Sequence, residues 1–179
     1  MNKKVRFMKK IAFTLALVLV MTCVLAACAP KAQPSAGLPN PMVESDAAGI
    51  LQKFGVEFGL PANAEDVKYF IVADQFAEVQ FRQDDIAYTA RIQSAAEFTD
   101  ISGIAGGWDV EDDCSLFGGR GQAKSMRKAS DGMTYDTILW YDVVPGLMYS
   151  ITAKAADLDG YDLQPMAETV FIPTQGEVG

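Results

Sequence analysis

Two stretches of the chain, residues 67–93 and 122–153, alternate apolar and polar positions with a period of two, the spacing of a half-buried β-strand. In the first, VKYFIVA (67–73), FAEVQFRQ (76–83) and IAYTARIQ (86–93) read as three strands separated only by Asp74-Gln75 and Asp84-Asp85. Joints that short suit tight hairpins. Within the third strand Ile86, Tyr88, Ala90 and Ile92 point one way, and Thr89, Arg91 and Gln93 the other. One dry face and one wet face is the pattern of an antiparallel sheet. Residues 94–107 break the period and predict at most one helical turn beside the glycine-rich DISGIAGG. A second series follows over 108–111, 122–129, 133–141 and 147–153, with Ser130-Asp131-Gly132 and Pro145-Gly146 supplying turn chemistry.

Helical spacing brackets these strands. Ser45 or Asp46 can cap a short helix whose Ile50, Leu51 and Phe54 share one face, and Gly55 stands where a left-handed stop is wanted. Val56, Phe58 and Leu60 then alternate before Pro61, which predicts a short strand. A closing helix from about residue 162 puts Leu163, Met166, Val170 and Phe171 on its apolar side, with Pro165 tolerated in the first turn and Pro173 as the stop. The predicted fold class is α+β: an antiparallel meander with an N-terminal and a C-terminal helix packed on one face.

Upstream the pattern is of another kind. Lys3, Lys4, Arg6, Lys9 and Lys10 precede an uncharged apolar run over 11–29, the layout of a secretory signal. The run is also long enough to cross a bilayer as an uncleaved helix, which is the competing reading. Its ending, Leu25-Ala26-Ala27-Cys28, resembles the lipobox of bacterial lipoproteins, with small residues before the cysteine. Cys23 fits less well, because Met21 and Thr22 precede it. The resemblance implies a diacylglyceryl thioether on Cys28, cleavage before it, and palmitate-type acyl chains that hold the protein to the outer side of a cell membrane. Residues 29–41, APKAQPSAGLPNP, carry four prolines and form a tether that could reach roughly 40 Å at about 3.1 Å per residue. The expected organisation is a signal peptide over 1–27, lipidated Cys28 and tether over 28–41, one α+β domain over 42–173, and a flexible tail over 174–179.

Charge narrows the partners. Five of the 15 Lys and Arg lie in the first 27 residues, which have no acid, so residues 28–179 hold ten basic against 23 acidic side chains, a formal charge of −13. Nucleic acid is not an expected partner on that balance. The chain has no histidine, which removes Ser-His-Asp and Cys-His mechanisms and the usual zinc ligand. With the Cys28 sulfur acylated, Cys114 is the one thiol remaining and no internal disulfide can form. No cofactor and no metal site is expected.

The run YFIVADQFAEVQFRQDDIAYTARIQSA, then DISGI, then a Trp-Tyr strand leading through a glycine turn to MYSITA, resembles an uncharacterised domain. That domain recurs on Gram-positive lipoproteins and on the outer parts of some membrane-bound regulators. The resemblance covers residues 42–172 and implies an extracytoplasmic α+β domain; it brings no active-site residues.

Four constellations are left to weigh. Cys114-Ser-Leu-Phe-Gly-Gly-Arg120 has the C-x5-R spacing of cysteine phosphatases, but Asp109, Glu111, Asp112 and Asp113 surround the thiol with negative charge, which opposes both a thiolate and a phosphate. The same acids could gather calcium, though without the D-x-D-x-D-G order of a loop built for it. Lys124 and Lys128 fall on one face of a strand and Arg127 on the other. Trp140 and Tyr149, with those two lysines, are the candidate ligand groove; Tyr88 and Trp108 are further aromatics of the same kind. The functional expectation is a lipid-anchored, extracytoplasmic, non-enzymatic domain that binds an envelope ligand or protein, or serves as an accessory subunit. The alternative is an envelope hydrolase using carboxylates or Cys114.

Overall fold

A computed structural model describes residues 42–173. The signal-like segment, Cys28, the tether and the tail over 174–179 lie outside the described residues. Eight strands and two helices follow in the order β1 (Met42–Ser45), α1 (Ala47–Phe54), β2 (Glu65–Val72), β3 (Phe76–Gln83), β4 (Ile86–Ser94), β5 (Val110–Cys114), β6 (Gln122–Ser130), β7 (Met133–Asp142), β8 (Leu147–Ala155) and α2 (Gln164–Val170). All eight strands form one antiparallel sheet with the spatial order β1-β2-β3-β4-β8-β7-β6-β5.

That order is two four-stranded meanders, each running from an outer edge to the centre, joined where β4 pairs with β8 from Ala87↔Lys154 to Ser94↔Leu147. Local turn chemistry builds each meander. Asp131 and Gly132 both take positive φ, 53° and 72°, between the paired Ser130 and Met133, the geometry that matches the twist of a hairpin. The β3–β4 turn is Asp84-Asp85, as its spacing predicts, while the β2–β3 loop is one residue longer, Ala73-Asp74-Gln75.

Side-chain alternation divides the core into two clusters. The larger contains Val79, Phe81, Tyr88, Ala90, Ile92, Ile138, Trp140, Tyr149 and Ile151 from the strands together with Ile50 of α1 and Met166, Ala167 and Val170 of α2. The smaller, built from the opposite alternation, contains Met126, Leu139, Tyr141 and Met148 with Ile101, Phe76, Phe98 and Trp108. Its cause is topological. After β4 the chain stands at the centre of the sheet and must reach the far edge to begin β5, so residues 95–109 cross one face and bury apolar side chains there. The face expected to be wet is therefore dry over the part that this crossing covers.

Three further expectations are corrected. The domain opens with a strand, β1, before its first helix; MVES is short and largely exposed, so periodicity carried no signal for it. The first helix itself is as expected: of the two caps offered it uses Asp46, whose Oδ1 accepts from the Gly49 N–H at 2.7 Å, and Gly55 ends it at φ 67°. Residues 56–60 make only an isolated bridge, Phe58↔Phe171, to which the Gly59 N–H contributes its bond to the Val170 carbonyl, and Pro61 offers no donor to extend it. The fifth strand runs over Val110–Cys114 rather than 108–111, and residues 95–107 contain no helical turn. Among the described residues no helix is long and apolar enough to cross a membrane.

Candidate functional site

The residues singled out from sequence separate onto the two faces of the sheet. Trp140 and Tyr149 pair across β7 and β8 and are fully buried in the larger cluster. Their rings pack against each other and Phe171, at centroid distances of 4.8 to 6.1 Å, and their polar tips are satisfied: Trp140 Nε1 donates to the Arg120 carbonyl at 2.7 Å, and the Tyr149 hydroxyl to that of Ile172 at 3.3 Å. Burial, with the nearby Asp142 charge, pushes the Tyr149 pKa up to about 12. Lys124 and Lys128 share the opposite face, as their spacing implies, and pair in register with Leu139 and Tyr135. Lys124 lies 3.7 Å from Glu111, and Lys128 donates to the Ala105 carbonyl. The four therefore do not line one groove. Tyr88 is also buried, its hydroxyl 2.7 Å from that of Tyr161.

The phosphatase-like spacing does not form a phosphate cradle. Arg120 turns away to Asp142, which is 1% exposed, with Nη2 and Nε at 2.6 and 3.3 Å from its two oxygens. Burial raises the Cys114 pKa; a hydrogen bond with Gln164 lowers it and the Asp113 charge raises it again, leaving a net upward shift. The acidic run is split by strand alternation. Asp112 faces one side of β5, Glu111 and Asp113 the other, and Asp109 Oδ2 accepts from the Ala129 N–H. Among the described residues no three acids or thiols converge where they could hold a metal ion.

A cleft of about 310 Å³ lies between β5, β6, β7 and the segment that leads into α2. Alternate positions of three neighbouring strands supply its floor and one wall: Val110 and Asp112, Ser125 and Arg127, Asp136 and Ile138. Tyr161, Asp162, Leu163 and Gln164 supply the other wall. Arg127 is fully committed to structure. Its Nε and Nη2 fork onto the Asp136 carboxylate at 2.6 and 2.7 Å, Nη2 also reaches the Leu158 carbonyl at 2.9 Å, and Nη1 lies 3.4 Å from Asp159. The fork onto Asp136 is the main reason the guanidinium pKa rises further above its ordinary value. Asp162 accepts from the Gln164 N–H at 3.0 Å.

Two groups in the cleft are left open. The Asp112 carboxylate and the Ser125 hydroxyl, opposite each other in the β5–β6 register, have no hydrogen-bond partner among the described residues. No lysine lines the cleft, and the chain holds no histidine, so Ser125 lacks the usual bases that would take its proton. Part of this arrangement is legible in the residue pattern. Asp136 sits on the core side of its strand with Ile138 and Trp140, and a carboxylate there demands a cation; Arg127 is the basic residue of its run that faces the same way. The wall from Tyr161 to Gln164 left no such signal, because only the chain's return over the sheet brings it near β5. No protein-family model, no curated protein and no solved structure matches the chain.

Proposed function

We propose that the chain is a lipid-anchored, extracytoplasmic binding or accessory domain of the cell envelope, non-enzymatic, with α1 and α2 closing one face of the sheet and the β5–β7 cleft as its ligand site. The observation that carries the binding reading is the pair of unpartnered acceptors, Asp112 and Ser125, in a cleft that also presents Val110, Ile138 and Leu163, beside an arginine already neutralised by Asp136. Such a cleft suits a small polar ligand that donates hydrogen bonds, an amine or a hydroxyl-rich fragment, rather than an anion. Non-catalytic use is supported by the protonated state favoured for Cys114 and by the engagement of Arg120 with Asp142. The address rests on Leu25-Ala26-Ala27-Cys28 and the basic head before it.

Two measurements test this. Intact mass of the membrane-extracted chain is expected to show acyl groups on Cys28 and loss of residues 1–27, both abolished by Cys28→Ala. A chain that keeps its first 27 residues and carries no acyl mass refutes the anchor. For the cleft, melting temperature is followed with amino sugars, short cell-wall peptides and neutral sugars. A donor-bearing ligand at about 100 times its Kd stabilises the folded state by about 2.7 kcal/mol. That rise is expected to disappear in Asp112→Asn. If no member of the panel shifts the transition, the domain is a spacer and the binding reading fails.

A further inference from the structure

Nine Lys and Arg lie among the described residues, and five of them, Lys53, Arg91, Arg120, Lys124 and Arg127, form ion pairs. The other four, Lys68, Arg82, Lys128 and Lys154, have no carboxylate partner among the described residues. In a domain with so large an acidic excess, unpaired cations should be the exception. All four nevertheless project from one face of the sheet, the face opposite α1 and the cleft, with Lys68, Arg82 and Lys154 exposed and Lys128 at the border of the part covered by residues 95–109, where it donates to the Ala105 carbonyl.

Register fixes their arrangement. Arg82, Ala87, Lys154, Tyr135 and Lys128 are successive partners across β3, β4, β8, β7 and β6, hence one row across the sheet. Cations occupy every second strand of that row. With strands about 4.8 Å apart, neighbouring charges recur at about 10 Å. The adjacent row is Gln80, Thr89, Thr152 and Thr137, uncharged hydrogen-bonding side chains, reached at its β2 end by Lys68. The Thr137 and Thr152 hydroxyls bond each other at 2.8 Å, which leaves Gln80 and Thr89 as the accessible members. Lys154 Nζ sits 5.4 Å from the centre of the Tyr135 ring, and a recess of about 180 Å³ between the 103–105 segment and Lys128, Ser130 and Tyr135 ends the row. Glu65 stands opposite Arg82 in register but forms no ion pair with it.

We infer that this row is a binding surface for a linear acidic polysaccharide carrying one anionic group per disaccharide. The 10 Å recurrence of charge is the scale of one disaccharide, and the amide, hydroxyl and phenol groups between and beside the cations match sugar hydroxyls. The alternatives fit less well. A protein partner would need an open apolar or aromatic anchor, and the row offers Ala87 and a Tyr135 ring already covered by Lys154. Single-stranded nucleic acid would need open aromatic faces for base stacking, and Lys154 covers Tyr135. Remote carboxylates of the domain repel any polyanion, but at 0.15 M salt the Debye length of about 8 Å screens them far more than contacts within the row. The surface lies on the face opposite the cleft, so it stands or falls independently of the ligand proposed there.

The test is equilibrium binding of the full chain, in neutral detergent, to a hyaluronan oligosaccharide, which has one carboxylate per disaccharide. A chitin oligosaccharide of the same length serves as the neutral counterpart, and inorganic polyphosphate and polyglutamate as other polyanions. Hyaluronan is expected to bind, with affinity falling as salt rises and dropping about tenfold in Arg82→Gln and again in Lys154→Gln. Lys53→Gln, on α1, is expected to bind as the parent does. Arg82 and Lys154 are chosen because both are exposed and make no hydrogen bond within the domain, so their variants should keep the parent melting temperature; Lys128 also holds Ala105. Equal affinity for the neutral chain, preference for polyphosphate or polyglutamate, undiminished binding by the double variant, or no binding at low salt would each overturn the inference.

Discussion

Glu78 is the most demanding single residue of the described domain. Its side chain has no exposed surface, on a strand position that alternation assigns to the polar side. Two partners make this tolerable: Arg91 Nε at 2.6 Å and Gln80 Nε2 at 2.6 Å. Arg91 in turn donates to the Ile101 carbonyl at 3.2 Å and so ties the crossing segment to the sheet. Gly103 is part of the same device, because at φ 75° it passes so close that a Cβ would overlap the guanidinium. Removing one member of a buried ion pair strands the other, at a cost of about 3–5 kcal/mol, whereas replacing both by apolar groups is often neutral. Arg91→Met is therefore expected to lower the urea midpoint strongly, and Arg91→Met with Glu78→Leu to recover most of the loss. If the single variant unfolds at the parent midpoint, the pair does not hold the crossing in place.

At the scale of elements, legibility followed the amount of burial. β3, β4, β6, β7 and β8 were readable because each has at least one face in a core, which imposes period two on its sequence. The two edge strands were not. β1 exposes Met42 and Val43, and β5 reads VEDDC, four of its five residues exposed and three of them acidic. An edge strand needs only backbone pairing on one side, so no apolar pattern marks it, and acids there discourage a further strand from adding. Candidate chemistry was less legible still. Spacing alone puts the β6 lysines on their common face, but Trp140 and Tyr149 face the other way, since parity between neighbouring strands depends on a register that composition does not encode. The cleft and the cation row share this cause. Each is assembled from strands distant in sequence, and only the joining of β4 to β8 brings Arg82 and Lys128 into one line.

For the molecule as a whole, one cluster links nearly everything: both helices, seven of the eight strands and the return segment meet around the same aromatic and aliphatic side chains. Four tyrosines meet in it, Tyr88 and Tyr149 within and Tyr69 and Tyr161 packed against it, and three of them, Tyr69, Tyr88 and Tyr149, are perturbed. Their pKa values are all raised, first by burial; at Tyr88 the hydroxyl partnership with Tyr161 and the charge of Asp84 add to it, and Tyr149 is held at about 12. A raised pKa on a group that is neutral when protonated means that folding favours the phenol over the phenolate. The resulting stability is complete below pH ~10, where unfolded tyrosines keep their protons, and is lost as pH climbs toward the folded values. Because the three rings share one cluster, ionising any of them opens packing that both helices depend on. Melting temperature is thus expected to fall steeply above pH ~10, and at pH ~11 the folded chain should show less tyrosinate absorbance than the urea-unfolded chain. The deficit should vanish together with the circular-dichroism signal of the sheet. Equal tyrosinate absorbance in the two states, with the sheet intact, would mean that these phenols ionise without disturbing the core.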